Sequence, residues 1–330
     1  MKMYLARRNF LQLTAAATAM PAAARRAHAQ AQAYPSRSIT IVVPFPPGGS
    51  TDVVARIMAE HMRPLLGQAI VIENVGGAGG SIALGRVARA SPDGYTIDLG
   101  QWDTHVGGII YALNVDLERD FEPIGLISIN PQLMVGRKTL PADDLKGLVA
   151  FIRANPGKVT LVSQTAAAQL SGLMLQRLTG AEVALIPYRG AGPALTDLLS
   201  GQVDLMVAQA AVLMPHVRAG AVKAIANLSP RRSEALPDIA TSDESGVAGL
   251  YASGWFGFFA PRGTPKAAIT ALNGAMRQAL REQAVRARFT ELGLDIAAPE
   301  QQSAEALAAF HKAETEKWWP IIRSANVKAE

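Results

Sequence analysis

The chain contains no cysteine. That absence excludes a disulfide framework, thiol catalysis, thiolate metal ligation and a lipidated-cysteine anchor. Beyond residue 33 no run of about twenty apolar residues occurs, so this part of the chain is expected to be soluble and not membrane-anchored. Net charge is missing too. Residues 1–29 hold five basic groups and no acid, which leaves 27 basic against 27 acidic groups in the remainder. No basic footprint for nucleic acid survives that subtraction, and no nucleic-acid-binding motif is present.

Catalytic and nucleotide signatures are also lacking. No G-x-x-x-x-G-K-[ST] string occurs, and Gly77-Ala78-Gly79-Gly80-Ser81-Ile82 fails the dinucleotide fingerprint because position 82 is not glycine. Asp98, about twenty residues on, keeps only the spacing of that fingerprint. G-x-S-x-G is absent, and His61, His105, His216 and His311 show no metal-ligand spacing. No cofactor or metal is therefore expected. Asp103 and His105 flank Thr104 after a strand, an arrangement open to an acid–base pair or to the polar lining of a cleft. His61 and His311 are expected on solvated helix faces, and Trp318-Trp319 as the anchor of the last helix.

What is present begins with a leader. Arg7-Arg8 supply a positive start, Phe10 to Ala24 a weakly apolar middle, and Ala27-His28-Ala29 or Ala31-Gln32-Ala33 a small-x-small cleavage site. Residues 1–33 read as a signal peptide, and Arg7-Arg8-Asn9-Phe10-Leu11 resembles a twin-arginine motif. The remaining 300 or so residues are long enough for two domains.

Strand, glycine-rich turn and helix then alternate. A buried strand over Ser38–Phe45 precedes a helix from Thr51 to Leu66, stopped by Gly67. Strands over Ala69–Glu73 and Tyr95–Leu99 flank a helix starting at Ser81. The pattern recurs with a short strand at Leu133–Val135, a helix over Leu145–Ala154, a strand over Val159–Val162 and a helix over Ala167–Leu178. Strands over Val183–Pro187, Leu205–Val207 and Val222–Ala226 follow, the first two separated by a helix from Ala194 to Ser200. An aromatic strand over Ser253–Phe259 leads to three helical stretches, expected to pack back on the first domain. Such alternation implies a largely parallel α/β sheet covered by helices on both faces.

Three turns of this series carry the chemistry: Pro46–Asp52, Gly76–Ser81 and Tyr188–Pro193. Glycine admits a ligand close to the backbone. A helix start leaves about four N–H groups unpaired and carries partial positive charge, so an anionic carboxylate or phosphate is the natural partner. In parallel sheets such turns gather at the carboxyl ends of the strands, where ligands bind.

Several segments, in order, resemble one family. They include Val43-Pro44-Phe45-Pro46-Pro47-Gly48-Gly49-Ser50-Thr51-Asp52, Glu73-Asn74-Val75-Gly76-Gly77-Ala78-Gly79-Gly80 and Ser91-Pro92-Asp93-Gly94-Tyr95. Further along stand Pro187-Tyr188-Arg189-Gly190-Ala191-Gly192-Pro193, Asp197-Leu198-Leu199-Ser200-Gly201-Gln202-Val203-Asp204 and Ala260-Pro261-Arg262-Gly263-Thr264-Pro265. The chain is similar to the Bug-type periplasmic receptors of tripartite tricarboxylate transporters. The resemblance implies a two-lobed type II periplasmic binding fold, with one domain over 34–130 plus 251–330, the other over 131–250, and hinge motion at the two crossovers. It implies a monomeric receptor, not an enzyme, that binds a small carboxylate (a di- or tricarboxylate or an aromatic acid) and delivers it to transporter subunits in the membrane. A periplasmic enzyme using Asp103 and His105, or a sensory adaptor presenting the ligand, are the alternatives.

The ligand-binding residues so implied are Pro47, Gly48, Gly49, Ser50, Thr51 and Asp52 on the first loop and Gly77, Ala78, Gly79 and Gly80 on the second. Trp102 and Asp103 follow β-strand 95–99, with Trp102 set either to stack on a flat ligand or to fill space. Ser163, Gln164, Thr165 and Ala168, then Tyr188, Arg189 and Gly190, and finally Gln209 complete the set. Two departures from the family pattern stand out. The loop from Ser163 to Ala168 lacks glycine, and Gln209 stands where an aspartate is common, which removes a natural partner for a ligand ammonium. Gly79→Val is expected to leave the fold intact while obstructing the ligand.

Overall fold

The computed structural model describes residues 34–111, 113–233 and 236–324. Residues 1–33, read above as a signal peptide with Arg7-Arg8, lie outside them. In the first lobe β1 (Ile39–Val43) leads to α1 (Ser50–Leu66), which ends at Gly67 with a left-handed φ of 66°. β2 (Ile70–Asn74), α2 (Ser81–Ala88), β3 (Thr96–Gln101) and the one-turn α3 (Trp102–His105) follow. β4 (Phe121–Arg137) then crosses into the second lobe.

There the chain forms α4 (Leu145–Ala154), β5 (Thr160–Ser163), α5 (Ala166–Thr179) and β6 (Ala184–Pro187). α6 (Ala191–Ser200), β7 (Leu205–Gln209), α7 (Ala210–Arg218) and β8 (Val222–Asn227) complete it. β9 (Ser253–Pro261) returns to the first lobe and precedes α8 (Lys266–Ala279), α9 (Gln283–Glu291), β10 (Asp295–Ile296) and α10 (Ala304–Ser324). Local chemistry sets the helix starts: the Asp144 carboxylate accepts from the Gly147 N–H ahead of α4, and the Thr165 hydroxyl from the Ala168 N–H ahead of α5.

The strand order is β2-β1-β3-β9-β4-β7-β5-β6, with β8 and β10 also paired to β4. Parallel pairing joins β1 to β2 and β3 in one lobe, and β5 to β6 and β7 in the other. The seam differs from the sequence expectation: β9 runs antiparallel to both β3 and β4, and β4 antiparallel to β7 and β8. One 17-residue strand therefore serves both lobes. Only Leu133–Val135 was legible as strand, because Pro123, Gly125 and Pro131 break the apolar pattern. The register shifts between Pro123 and Gly125 and between Leu126 and Ser128 absorb part of that break.

Each lobe buries both sheet faces. In the first, Ile41, Val54, Met58, Phe258, Leu272 and Met276 pack under α1 and α8, while Leu84, Trp102, Trp255, Phe259 and Trp318 fill the opposite face. The C-terminal helices thus pack on the first lobe, as expected. Trp318 anchors α10, and the Trp319 Nε1 donates to the Val106 carbonyl at 3.1 Å.

Two histidine expectations need correction. His311 is not solvated but buried, and its Nε2 lies 2.8 Å from the His105 carbonyl. His61 is only partly exposed and meets Glu282 at 2.6 Å. Asp98 is fully buried beside His105, at 3.5 Å. Burial raises the Asp98 carboxyl well above its ordinary range and lowers the His105 imidazole well below its own. Both shifts favour the uncharged forms, so exchange of the Asp98 carboxyl for an amide is a mild change. Asp98→Asn is expected to shift stability by no more than about 1 kcal/mol, read by urea denaturation.

Candidate functional site

The glycine-rich turns converge on one cleft between the lobes. Its inner cavity is about 570 Å³ and has walls from both lobes. Pro46–Thr51, Gln101 and Asp103 come from the first, and Gln132, Gln164, Thr165, Arg189–Pro193, Ala208 and Gln209 from the second. A second cavity of about 960 Å³ adjoins it, lined by Gly76–Gly80 and Tyr111 on one side and by Ser163, Gln169, Tyr188 and Arg189 on the other. Phe45, Pro46, Gln164, Thr165 and Arg189 border both, so the two spaces form one cleft.

The first loop is held by Asp52. Its carboxylate accepts from the Gly48 N–H at 3.0 Å, from Arg56 through two contacts of 2.9 Å, and from Asn74 at 3.1 Å. Burial pushes this carboxyl up, but Arg56, Gly48 and Asn74 together outweigh burial and hold it below its usual range. Asp52 itself lies under the loop, outside the cavity lining. With Asp52 turned to Gly48, no side chain caps α1, and Gly49, Ser50 and Thr51 at its start line the cavity.

The second lobe answers with the same device. α6 starts after Gly190 and α7 after Gln209, neither with a side-chain cap. Gly190–Pro193 and Ala208, Gln209 and Val212 border the inner cavity. Arg189 is exposed and is the one cationic side chain lining either cavity among the described residues. Gly190 has φ 162°, an extended conformation open to any residue, and a Cβ there would meet nothing within 4 Å. Gly190→Ala is therefore expected to change stability by less than about 0.5 kcal/mol while adding a methyl group at the cavity edge.

The Gly76–Ser81 loop is tighter than the sequence suggested. Gly77, Gly79 and Gly80 have φ of 123°, 61° and 92°, and Ala78 also has a positive φ of 44°. A Cβ on Gly79 would stand 2.1 Å from the Tyr111 ring. Gly79→Val would thus strain a left-handed backbone and displace Tyr111. The expectation that this change spares the fold is corrected accordingly.

Lobe contacts close the floor. The Gln209 Nε2 donates to Gln101 Oε1 at 2.9 Å, which also accepts from Thr51 Oγ1 at 3.2 Å. Asp103 Oδ1 accepts from the Ala167 N–H at the start of α5, at 2.8 Å. Burial raises the Asp103 carboxyl to about 6, against the Ala167 and Thr165 hydrogen bonds that lower it.

Trp102 takes no part in the lining. It is 1 % exposed, packs edge-on against Trp318 at 5.4 Å, and fills space beside Ala166 and Leu170. Ala168 is likewise buried inside α5. His105 is fully enclosed, stacked on Phe259 with ring centroids 4.1 Å apart, so it makes no acid–base pair with the cleft-facing Asp103. Sequence reasoning missed Gln101, Gln132, Tyr111 and Val212 in the lining. Gln101 was findable, since it ends β3 at the carboxyl edge of the sheet; Tyr111 carried no local signal.

Comparison with known proteins places this architecture. Residues 54–327 match the family model described as the tripartite tricarboxylate transporter family receptor. A UPF0065 protein from the TAR-I ttuE-ttuC' intergenic region of Agrobacterium vitis is 38% identical over 306 residues, covering 90% of this chain and 87% of that one. Among solved structures, the periplasmic binding protein BugD is 38% identical with a TM-score of 0.83, covering 90% of this chain and 100% of its own. MatC from Rhodopseudomonas palustris, with bound malate, is 37% identical with a TM-score of 0.82, covering 88% of this chain and 100% of its own. The family is one of solute receptors rather than enzymes. Glycine-rich helix starts facing one interlobe cleft, on a fold shared over nine-tenths of the chain, make this protein a member of the TctC family of tripartite tricarboxylate transporter receptors.

Proposed function

We propose that the protein is a periplasmic receptor that holds a small carboxylate in the interlobe cleft and hands it to transporter subunits in the membrane. One observation carries the reading: uncapped helix starts from opposite lobes, α1 on one side and α6 and α7 on the other, border a single cavity. Each supplies unpaired N–H groups and partial positive charge. An acid with two anionic ends would be held by both lobes at once, with Arg189 adding full charge at the rim. The bound malate of MatC supports the carboxylate class. Among the described residues no helix is long and apolar enough to cross a membrane, which agrees with a receptor that meets its transporter as a separate subunit.

In this reading residues 34–130 with 251–330 form one moving body and 131–250 the other, hinged where β4 and the segment before β9 cross. Pro47–Thr51, Gly77–Gly80, Asp103, Ser163–Thr165, Tyr188–Gly190 and Gln209 are the contact residues, and Asp52 positions the first of them. The test is a thermal-unfolding screen of small carboxylates. A true ligand at about a hundred times its Kd adds roughly 2.7 kcal/mol of stability and is recovered chemically unchanged. A panel of di-, tri- and aromatic carboxylates without any shift would refute the reading.

A further inference from the structure

Four side chains lining the inner cavity are amides rather than charges, Gln101, Gln132, Gln164 and Gln209, and two of them carry the argument. Gln164 follows β5 and Gln209 ends β7, and these strands are paired neighbours, so both side chains stand at one end of the second lobe's sheet. The Gln164 amide is fixed end for end. Its Nε2 donates to the Val207 carbonyl at 2.6 Å, and a carbonyl accepts only, so Oε1 must point the other way. That oxygen is shielded from bulk water and has no partner, as is Gln209 Oε1, whose own Nε2 is engaged by Gln101. Both residues are more than nine-tenths buried and border the inner cavity.

Unpaired carbonyl oxygens repel an anion and call for a donor. We infer that the ligand carries a hydroxyl group, held in the second lobe by Gln164 Oε1 and Gln209 Oε1, so that hydroxy-carboxylates are selected over their deoxy counterparts. Gln164 carries the inference and Gln209 extends it. A ligand ammonium is the other donor class, but it asks for a free carboxylate. Asp103 is the one acid lining either cavity among the described residues, and its Oδ1 is engaged by the Ala167 N–H across the lobes. The inference rests on the carboxylate-receptor reading and adds a specificity to it.

Calorimetric titration of the whole receptor with matched pairs tests it: malate against succinate, citrate against tricarballylate, mandelate against phenylacetate, with aspartate alongside. The hydroxylated member of whichever pair binds should be tighter by roughly ten- to a hundredfold, as expected when a buried polar group is left unpaired by the analogue. In Gln164→Met, checked for folding by its melting transition, that ratio should fall to within about threefold of unity. Equal affinity within every binding pair, or aspartate tighter than malate, overturns the hydroxyl inference and leaves the carboxylate receptor standing. No binding by any of the seven acids overturns both.

Discussion

Asp52→Ala should lower the unfolding free energy by about 2–4 kcal/mol, because one buried carboxylate holds three donors at once. The carboxylate ties the Gly48 N–H, the Arg56 guanidinium and the Asn74 amide into one node. Arg56 is mostly exposed and rehydrates, so its contribution is the smaller share. Asn74 is partly buried and also donates to the Phe45 carbonyl at the root of the loop, while the exposed Gly48 is held in place by its bond to the carboxylate. Loss of the node therefore loosens Pro46–Ser50 and with it the alignment of the α1 N–H groups. Ligand affinity should fall in parallel with stability, measured by urea denaturation and by titration. The sign of the pH effect is fixed by the depressed carboxyl. Its stabilisation is complete above the unfolded aspartate value of about 3.9 and is lost as pH falls through the lower folded value. Asp52→Ala should accordingly be less harmful in strong acid than at neutrality; a constant deficit across pH would argue against the node.

Asp103→Asn should have the opposite character and stabilise the protein at pH 8. Burial raises the Asp103 carboxyl to about 6, so the folded state binds its proton more tightly than the unfolded chain does. Stability from this group is full below about pH 4 and falls as pH rises towards 6, by roughly 3 kcal/mol for a shift of about two units. Asparagine keeps an oxygen for the Ala167 N–H and removes the charge. The variant should therefore match the parent near pH 4 and exceed it by about 2–3 kcal/mol at pH 8. The comparison of the two proteins matters, since other carboxylates such as Asp52 tilt the parent's profile the other way. Identical pH profiles for parent and variant would mean that the carboxyl is solvated rather than buried.

The sequence was most readable where one residue type has one physical use. Gly67, Gly180 and Gly201 end helices with φ of 66°, 67° and 80°, and the helix ends before them were legible to within a residue, though α6 starts at Ala191, three residues ahead of the reading. α7 was not read at all, because Pro215 sits inside its nine residues. β4 was read as a fragment for the same kind of reason. Among site residues, the glycine turns were legible because backbone N–H supply follows from local conformation alone. Side-chain roles were not. Whether Trp102 meets a ligand or Trp318, and whether His311 meets water or the His105 carbonyl, is decided by elements more than 200 residues apart in the chain. Gly79 marks the boundary between the two cases: its positive φ is a local matter, but the Tyr111 ring against it is not.

The placement of β9 between β3 and β4 has a consequence for the order in which the polypeptide matures during synthesis. Residues 34–130 emerge early, yet their sheet lacks its inner strand until residues 253–261 have left the ribosome. Residues 132–227 contain every strand of the other sheet and can close it at once. The middle of the chain is thus able to finish before its beginning, which waits for the C-terminal quarter to arrive.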